Sequence, residues 1–319
     1  MKELTATLFD IYRGTTHDGP GLRDTVFFST CPLSCGWCHN PEGLLKENRV
    51  WHEPKTCIGC MSCKEVCHAN AIEDGATNLI INTDLCDNCH SCVKECPTKS
   101  LTLVQKTWTL SELERAILKD LEYFKSSGGG VTVSGGECLM QHEFVGEFLR
   151  RMRQNGVHTA VDTCGCVASD VFREVLEACD CLLYDLKFMD GDLHKKFTGV
   201  DNKLILENAL IAAKHKESNK DHFDMWIRTP LIPGATATVE NIKAIGDFIA
   251  EHLGGAVSRW EMCGFNNVCA SKYQRLNVDW AYKDVPMITR TYANELLEVA
   301  KATGAADGEV YVTGIISEQ

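Results

Sequence analysis

Apolar runs punctuate the chain at Leu22–Thr30 and again at 130–134, 157–161, 181–186, 224–229 and 257–262. Stretches with helical periodicity separate most of the later runs. Strands buried on both faces read as near-continuous apolar runs, so this alternation predicts a parallel sheet covered by helices. Six β/α units make a partial (β/α)6 TIM-like barrel in the α/β class, short of the eight units of a closed barrel. Thr109-Leu-Ser-Glu112 predicts a capping box ahead of an amphipathic helix running to about Phe124. From about 46 to 105 the alternation lapses, and only two short apolar pieces, Asn78–Thr83 and Leu101–Val104, suit small strands. That stretch reads as an insertion, so residues 1–45 and 106–319 build the barrel and 46–105 the insert. In such folds the chemistry gathers at the C-terminal ends of the strands.

At 319 residues, 44% hydrophobic and 24% charged, the composition is that of an ordinary globular protein. A net charge of −12 lacks the basic footprint on which nucleic-acid binding rests. No run approaches the roughly 18 apolar residues of a membrane span. The N-terminal residues carry acids and no signal-peptide core, so the expected location is the cytoplasm. Thiols stay reduced there, and 18 cysteines therefore need an account other than disulfides. Eleven of the 18 fall into three tight clusters, which points to metal.

The first cluster is Cys31-x3-Cys35-x2-Cys38, in the loop after the first strand. Three thiolates within eight residues, with Gly36 allowing a tight turn, can wrap one face of a metal centre. A zinc site would need a fourth ligand, which His39 could supply. The reading preferred here is a [4Fe–4S] cluster with three protein ligands. Electron carriers use four cysteines, so an iron left open implies chemistry at that iron.

The other two clusters, Cys57-x2-Cys60-x2-Cys63-x3-Cys67 and Cys86-x2-Cys89-x2-Cys92-x3-Cys96-Pro97, form a repeat with Cys57 and Cys86 29 residues apart. This is the pattern of a two-cluster bacterial ferredoxin, whose fourth cysteine crosses to the other cluster. Cys57, Cys60 and Cys63 then share one [4Fe–4S] cluster with Cys96, and Cys67 joins Cys86, Cys89 and Cys92 on the other. His68 stands where that pattern usually has proline.

Cx3Cx2C after the first strand resembles the radical S-adenosylmethionine (SAM) superfamily. Asp18-Gly-Pro-Gly21-Leu-Arg23 and Trp37-Cys38-His39-Asn40-Pro41-Glu42 are similar to segments of the activating enzymes of glycyl radical enzymes, and the resemblance covers nearly the whole chain. By itself Asp18–Gly21 also reads as a simple turn. The resemblance implies an oxidoreductase that splits SAM at the first cluster, with Cys31, Cys35, Cys38 and Lys187 as catalytic residues. The resulting 5′-deoxyadenosyl radical removes a hydrogen from a glycine Cα of a partner glycyl radical enzyme. It further implies three [4Fe–4S] clusters, a flavodoxin- or ferredoxin-like electron donor, no nucleic-acid or membrane partner, and a monomer. A radical SAM enzyme that acts on a small molecule or peptide through auxiliary clusters is the alternative.

The same resemblance distributes SAM contacts over later strand ends. Trp37 and His39 flank the third cysteine. Gly135-Gly136-Glu137 resembles the motif that holds the SAM amino group, although Cys138 follows where proline or alanine is usual. Asp162 and Asp185 match acids beside SAM and a monovalent cation, and Asp185-Leu186-Lys187 a motif contacting SAM and the incoming glycine. Arg228 is expected near the SAM carboxylate, a bidentate partner for it. Asn266 stands where formate-lyase activases have histidine. Cys263 and Cys269 read either as a further metal site or as buried thiols. Packing is also the reading for Cys164, Cys166, Cys179 and Cys181.

Overall fold

The computed structural model describes residues 3–75, 79–276 and 278–318. Among these, thirteen strands follow in chain order: β1 (Thr5–Thr15), β2 (Arg23–Phe28), β3 (Val50–His52), β4 (Ile72–Asp74), β5 (Leu79–Ile81), β6 (Leu101–Leu103), β7 (Lys106–Thr109), β8 (Gly130–Gly135), β9 (His158–Thr163), β10 (Cys181–Asp185), β11 (Asp224–Leu231), β12 (Arg259–Gly264) and β13 (Val310–Gly314). Nine of them form one sheet in the order β13-β12-β11-β10-β9-β8-β2-β1-β7. From β2 through β13 every neighbouring pair is parallel, whereas β1 runs antiparallel to both β2 and β7.

All six expected strands are present. The sheet also has a seventh parallel strand, β13, and the antiparallel pair β1 and β7 on its other side, so six units understate it. β13 is half-exposed and β1 alternates buried with exposed positions; neither shows the continuous apolar run of an inner strand such as β2, which is buried throughout. Helices cover the outer face around a core that includes Val133, Phe148, Leu149, Ile242 and Leu296. The capping box forms as expected, with Thr109 Oγ1 accepting from Glu112 N at 3.3 Å, but its helix spans only Leu110–Ile117. A 3-10 turn at Leu118–Asp120 separates it from a second helix, Leu121–Ser127, so no single helix runs to Phe124. None of the described helices is long and apolar enough to cross a membrane.

Arg228 on β11 contacts Asp18, just ahead of β2, although four strand spacings separate the two strands. In a flat sheet that gap would be about 19 Å. The sheet must therefore curl, and the β1–β2 loop must turn into its concave side. There Asp18 accepts from Thr25 Oγ1 at 2.8 Å, and its carbonyl accepts from Thr132 Oγ1 at 2.6 Å. Asp18–Gly21 is thus more than a surface turn.

Residues 46–105 stand apart from the main sheet, with β3 paired to β6 and β4 to β5. Where this excursion leaves and rejoins the barrel, the Asn48 amide bridges Gln105, donating to its carbonyl at 2.7 Å and accepting from its N–H at 2.9 Å. The repeat is visible in the backbone. Gly59, Met61 and Asn70 take φ of 68°, 58° and 51°, and Asn88, His90 and Lys99, each 29 positions later, take 57°, 61° and 54°. β5 and β6 match the two short apolar pieces, except that Asn78 lies outside the described residues.

Candidate active site

Strand alternation and register build the site. Across the sheet Asp185 pairs with Arg228, and Arg228 with Glu261, while Asp162 lies opposite Leu183. Their charged side chains share the concave face. The strand ends open onto a cavity of about 770 Å³. Cys31, Cys35, Trp37, Cys38, His39, Gly135, Gly136, Asp162, Asp185, Lys187, Arg228 and Asn266 all line it.

Two expected contacts do not. Leu186 is 1% exposed and belongs to the core, because neighbouring strand positions point to opposite faces and Asp185 and Lys187 take the inner one. Glu137 is fully buried beneath the cavity wall. Its carboxylate accepts from Leu139 N at 3.1 Å, Thr163 Oγ1 at 2.8 Å, and both N and Sγ of Cys164 at 2.9 Å. It ties the end of β8 to the end of β9 from outside the cavity lining. The two glycines before it serve the same closure. A Cβ at Gly135, where φ is +121°, would fall 2.3 Å from Phe28 N, and one at Gly136 would fall 2.2 Å from Thr30 O.

The cysteine loop begins at Thr30, whose φ of 76° is rare for a β-branched residue. Its backbone is fastened from outside: Ser34 N donates to Thr198 O at 2.7 Å, Trp280 Nε1 to Gly36 O at 2.9 Å, and Tyr273 Oη to Cys38 O at 2.8 Å. Those bonds leave the three thiols free to face the cavity. Trp37, Phe265, Tyr273 and Trp280 wrap the loop in one apolar cluster, and Tyr273 stacks on Trp280 at 4.7 Å. Phe265, Tyr273 and Trp280 have no motif spacing that would mark this aromatic shell in the sequence. Cys269 also lies in that shell, whereas Cys263 lines the cavity. Cys164 is more than packing, being hydrogen-bonded to both Glu137 and Cys31.

A tetrahedral zinc with 2.3 Å bonds holds its sulfurs about 3.8 Å apart. Among the described residues no three cysteines bring their sulfurs within 4.8 Å of one another. In the 46–105 region a small cavity is lined by Cys57, Cys60, Cys63 and Cys96, one of the two crossed-over sets.

Charge in the main cavity is crowded. Arg228 is held by Asp18 at 3.5 Å, Asp162 at 3.6 Å and Glu261 at 3.2 Å, and also donates to the His17 carbonyl. Its guanidinium is therefore clasped by carboxylates within the protein. Burial pushes Asp162 up to about 7 in spite of Arg228. Lys187 pairs with Asp185 at 2.5 Å; burial works against its ammonium, but Asp185 and nearby thiols outweigh it and raise its pKa.

The strand ends of a curled, mostly parallel sheet thus surround a three-cysteine loop. The family model for a 4Fe-4S single cluster domain matches residues 17–206. The 4-hydroxyphenylacetate decarboxylase activating enzyme of Clostridioides difficile is 34% identical over 96% of each chain. The (2S)-3-sulfopropanediol dehydratase activating enzyme of Klebsiella oxytoca is 33% identical over 92% of each. A solved domain of a pyruvate-formate lyase-activating enzyme from Bacteroides vulgatus is 29% identical, covers 59% of this chain and all of its own, and aligns with a TM-score of 0.47. The chain belongs to the radical SAM activating enzymes of glycyl radical enzymes. It is an oxidoreductase that generates a glycyl radical on a partner enzyme.

Proposed function

We propose that SAM binds in the 770 Å³ cavity against Cys31, Cys35 and Cys38, and that a glycine loop of the partner enters the same cavity. The observation that carries this reading is the convergence of residues from the ends of β2, β8, β9, β10, β11 and β12 on the three thiols. A [4Fe–4S] cluster on those thiols, when bound, supplies an open iron that chelates SAM and the electron that splits it into methionine and a 5′-deoxyadenosyl radical. The chain's own residues fix the geometry and exclude water. Trp37 and the surrounding rings shield the loop. Gly135 and Gly136 offer backbone to the SAM amino group, with Glu137 holding that backbone in place. Asp162, Asp185 and Lys187 face the cavity beside it, Arg228 steers the acids around it, and His39 and Asn266 border the adenosyl end. The excess of carboxylate there suits a monovalent cation beside Asp162 and Asp185.

Residues 46–105 form, on this reading, a ferredoxin-like insert holding two further [4Fe–4S] clusters that relay electrons. The four cysteines around the small cavity and the 29-residue backbone repeat support it. The protein would work in the cytoplasm as a monomer supplied by a carrier such as flavodoxin or ferredoxin. After anaerobic reconstitution and dithionite reduction, the protein is expected to release methionine and 5′-deoxyadenosine. Cys31→Ala, Cys35→Ala and Cys38→Ala should each abolish both products while keeping about two-thirds of the bound iron, as loss of one of three [4Fe–4S] centres requires. Product formation by any of them would sink the assignment.

A further inference from the structure

A second opening among the described residues lies outside the active site. It is a groove of about 900 Å³ between residues 44–55, the second cysteine run and the helix Ala270–Arg275. Cys86 lines it. So does Leu44, which also lines the active-site cavity.

The groove's charge is opposite to that of the chain. Lys46, Arg49, Lys55 and Arg275 line it, against only Glu47 and Glu53. Glu53 pairs with Arg275 at 2.7 Å, and Glu47 accepts from Asn88 at 2.8 Å. Lys46, Arg49 and Lys55 have no ion-pair partner among the described residues. Three uncommitted cations thus sit around a cysteine of the second run, on a protein whose net charge is −12. Ile80, 48% exposed, adds an apolar contact on the same groove.

We propose that this groove docks an acidic one-electron carrier protein, which delivers its electron through the centre held by Cys86. The proposal rests on the reading that the second cysteine run holds a cluster. One electron leaves the carrier, which is oxidised, and ends on the S–C5′ bond of SAM, which breaks to methionine and the 5′-deoxyadenosyl radical; no proton or other reactant is consumed. A basic rim on an acidic protein attracts a strongly acidic partner to this one face, and long-range charge mainly raises the association rate.

The test uses the reconstituted protein with reduced flavodoxin, a strongly acidic carrier, as the probe. For Lys46→Glu/Lys55→Glu, flavodoxin binding followed by fluorescence anisotropy at low ionic strength should weaken about tenfold or more, with the difference shrinking as salt is added. The ratio of flavodoxin-driven to dithionite-driven 5′-deoxyadenosine formation should fall in parallel, dithionite serving as the check that the fold is intact. Should the double reversal fold poorly, Lys46→Gln/Lys55→Gln should show the same trend at smaller size. Unchanged binding and an unchanged ratio in both variants would overturn the docking site. The cluster reading beneath it has a separate readout: Cys86→Ala/Cys89→Ala, which leaves two of the four ligands, should lose about a third of the bound iron. A full iron complement in that variant would sink the cluster reading and leave the binding result to stand by itself.

Discussion

Glu137 gathers two backbone N–H groups, a hydroxyl and a thiol onto one buried carboxylate. Removing an acceptor from such a set leaves donors buried without partners, which costs more than the bonds were worth. Glu137→Ala should therefore destabilise the protein by about 3 kcal/mol and Glu137→Gln by less, read from anaerobic denaturant unfolding. If Glu137 contacted only ligand, neither change would move ligand-free stability. Asp24 offers a pH test away from the site. Its side chain is 1% exposed, and burial followed by the neighbouring Asp120 pushes it up to about 6, against the pull of Arg13. Unfolded, it returns to 3.8, so between roughly pH 4 and 6 the folded chain binds a proton that the unfolded chain has released. This part of the stability is full below the window and is lost as pH rises through it. Asp24→Asn should shrink the stability difference between pH 5 and pH 7 by about 1 kcal/mol, measured by thermal unfolding. The motif pointed to Glu137, but no sequence pattern says which way a side chain turns once two strand ends have met.

At the scale of elements, the strand ends deliver the acids and the segment 265–282 holds the cysteine loop. Phe265, Tyr273 and Trp280 are spaced irregularly and make no motif; only their convergence on Cys35 and Cys38 gives them a role. Tyr273→Phe removes one hydrogen bond to the Cys38 carbonyl and should cost about 1 kcal/mol. More specifically, it should speed loss of the Cys31–Cys35–Cys38 cluster signal under air, followed by EPR, while the signals of the clusters proposed for residues 46–105 decay as before. Equal decay of all signals would show that the shell does not hold the loop. The inner strands were legible because burial on both faces leaves continuous apolar runs. β1 and the edge strands β7 and β13 were not, because a partly exposed strand carries no such run.

At the scale of the molecule, the insert is held against the barrel near Arg275, which pairs with Glu53 and covers the Trp51 ring at 5.0 Å. Both contacts are partly exposed, so Arg275→Ala should cost no more than about 1 kcal/mol globally. Amide exchange across 46–105 should nevertheless quicken while the barrel strands keep their protection, as mass spectrometry would show; uniform change would mean that the two parts open together. The sequence by itself determined the six inner strands, the three cysteine clusters and the 29-residue repeat, because ligand spacing and strand burial are local and leave periodic marks. Only the tertiary structure decided that Glu137 and Leu186 turn away from the cavity, that Arg228 is clasped by acids from three directions, and that an aromatic shell closes over Cys35 and Cys38. Those outcomes depend on the curl of the sheet, which brings together side chains far apart in the chain and so leaves no trace in the order of its residues.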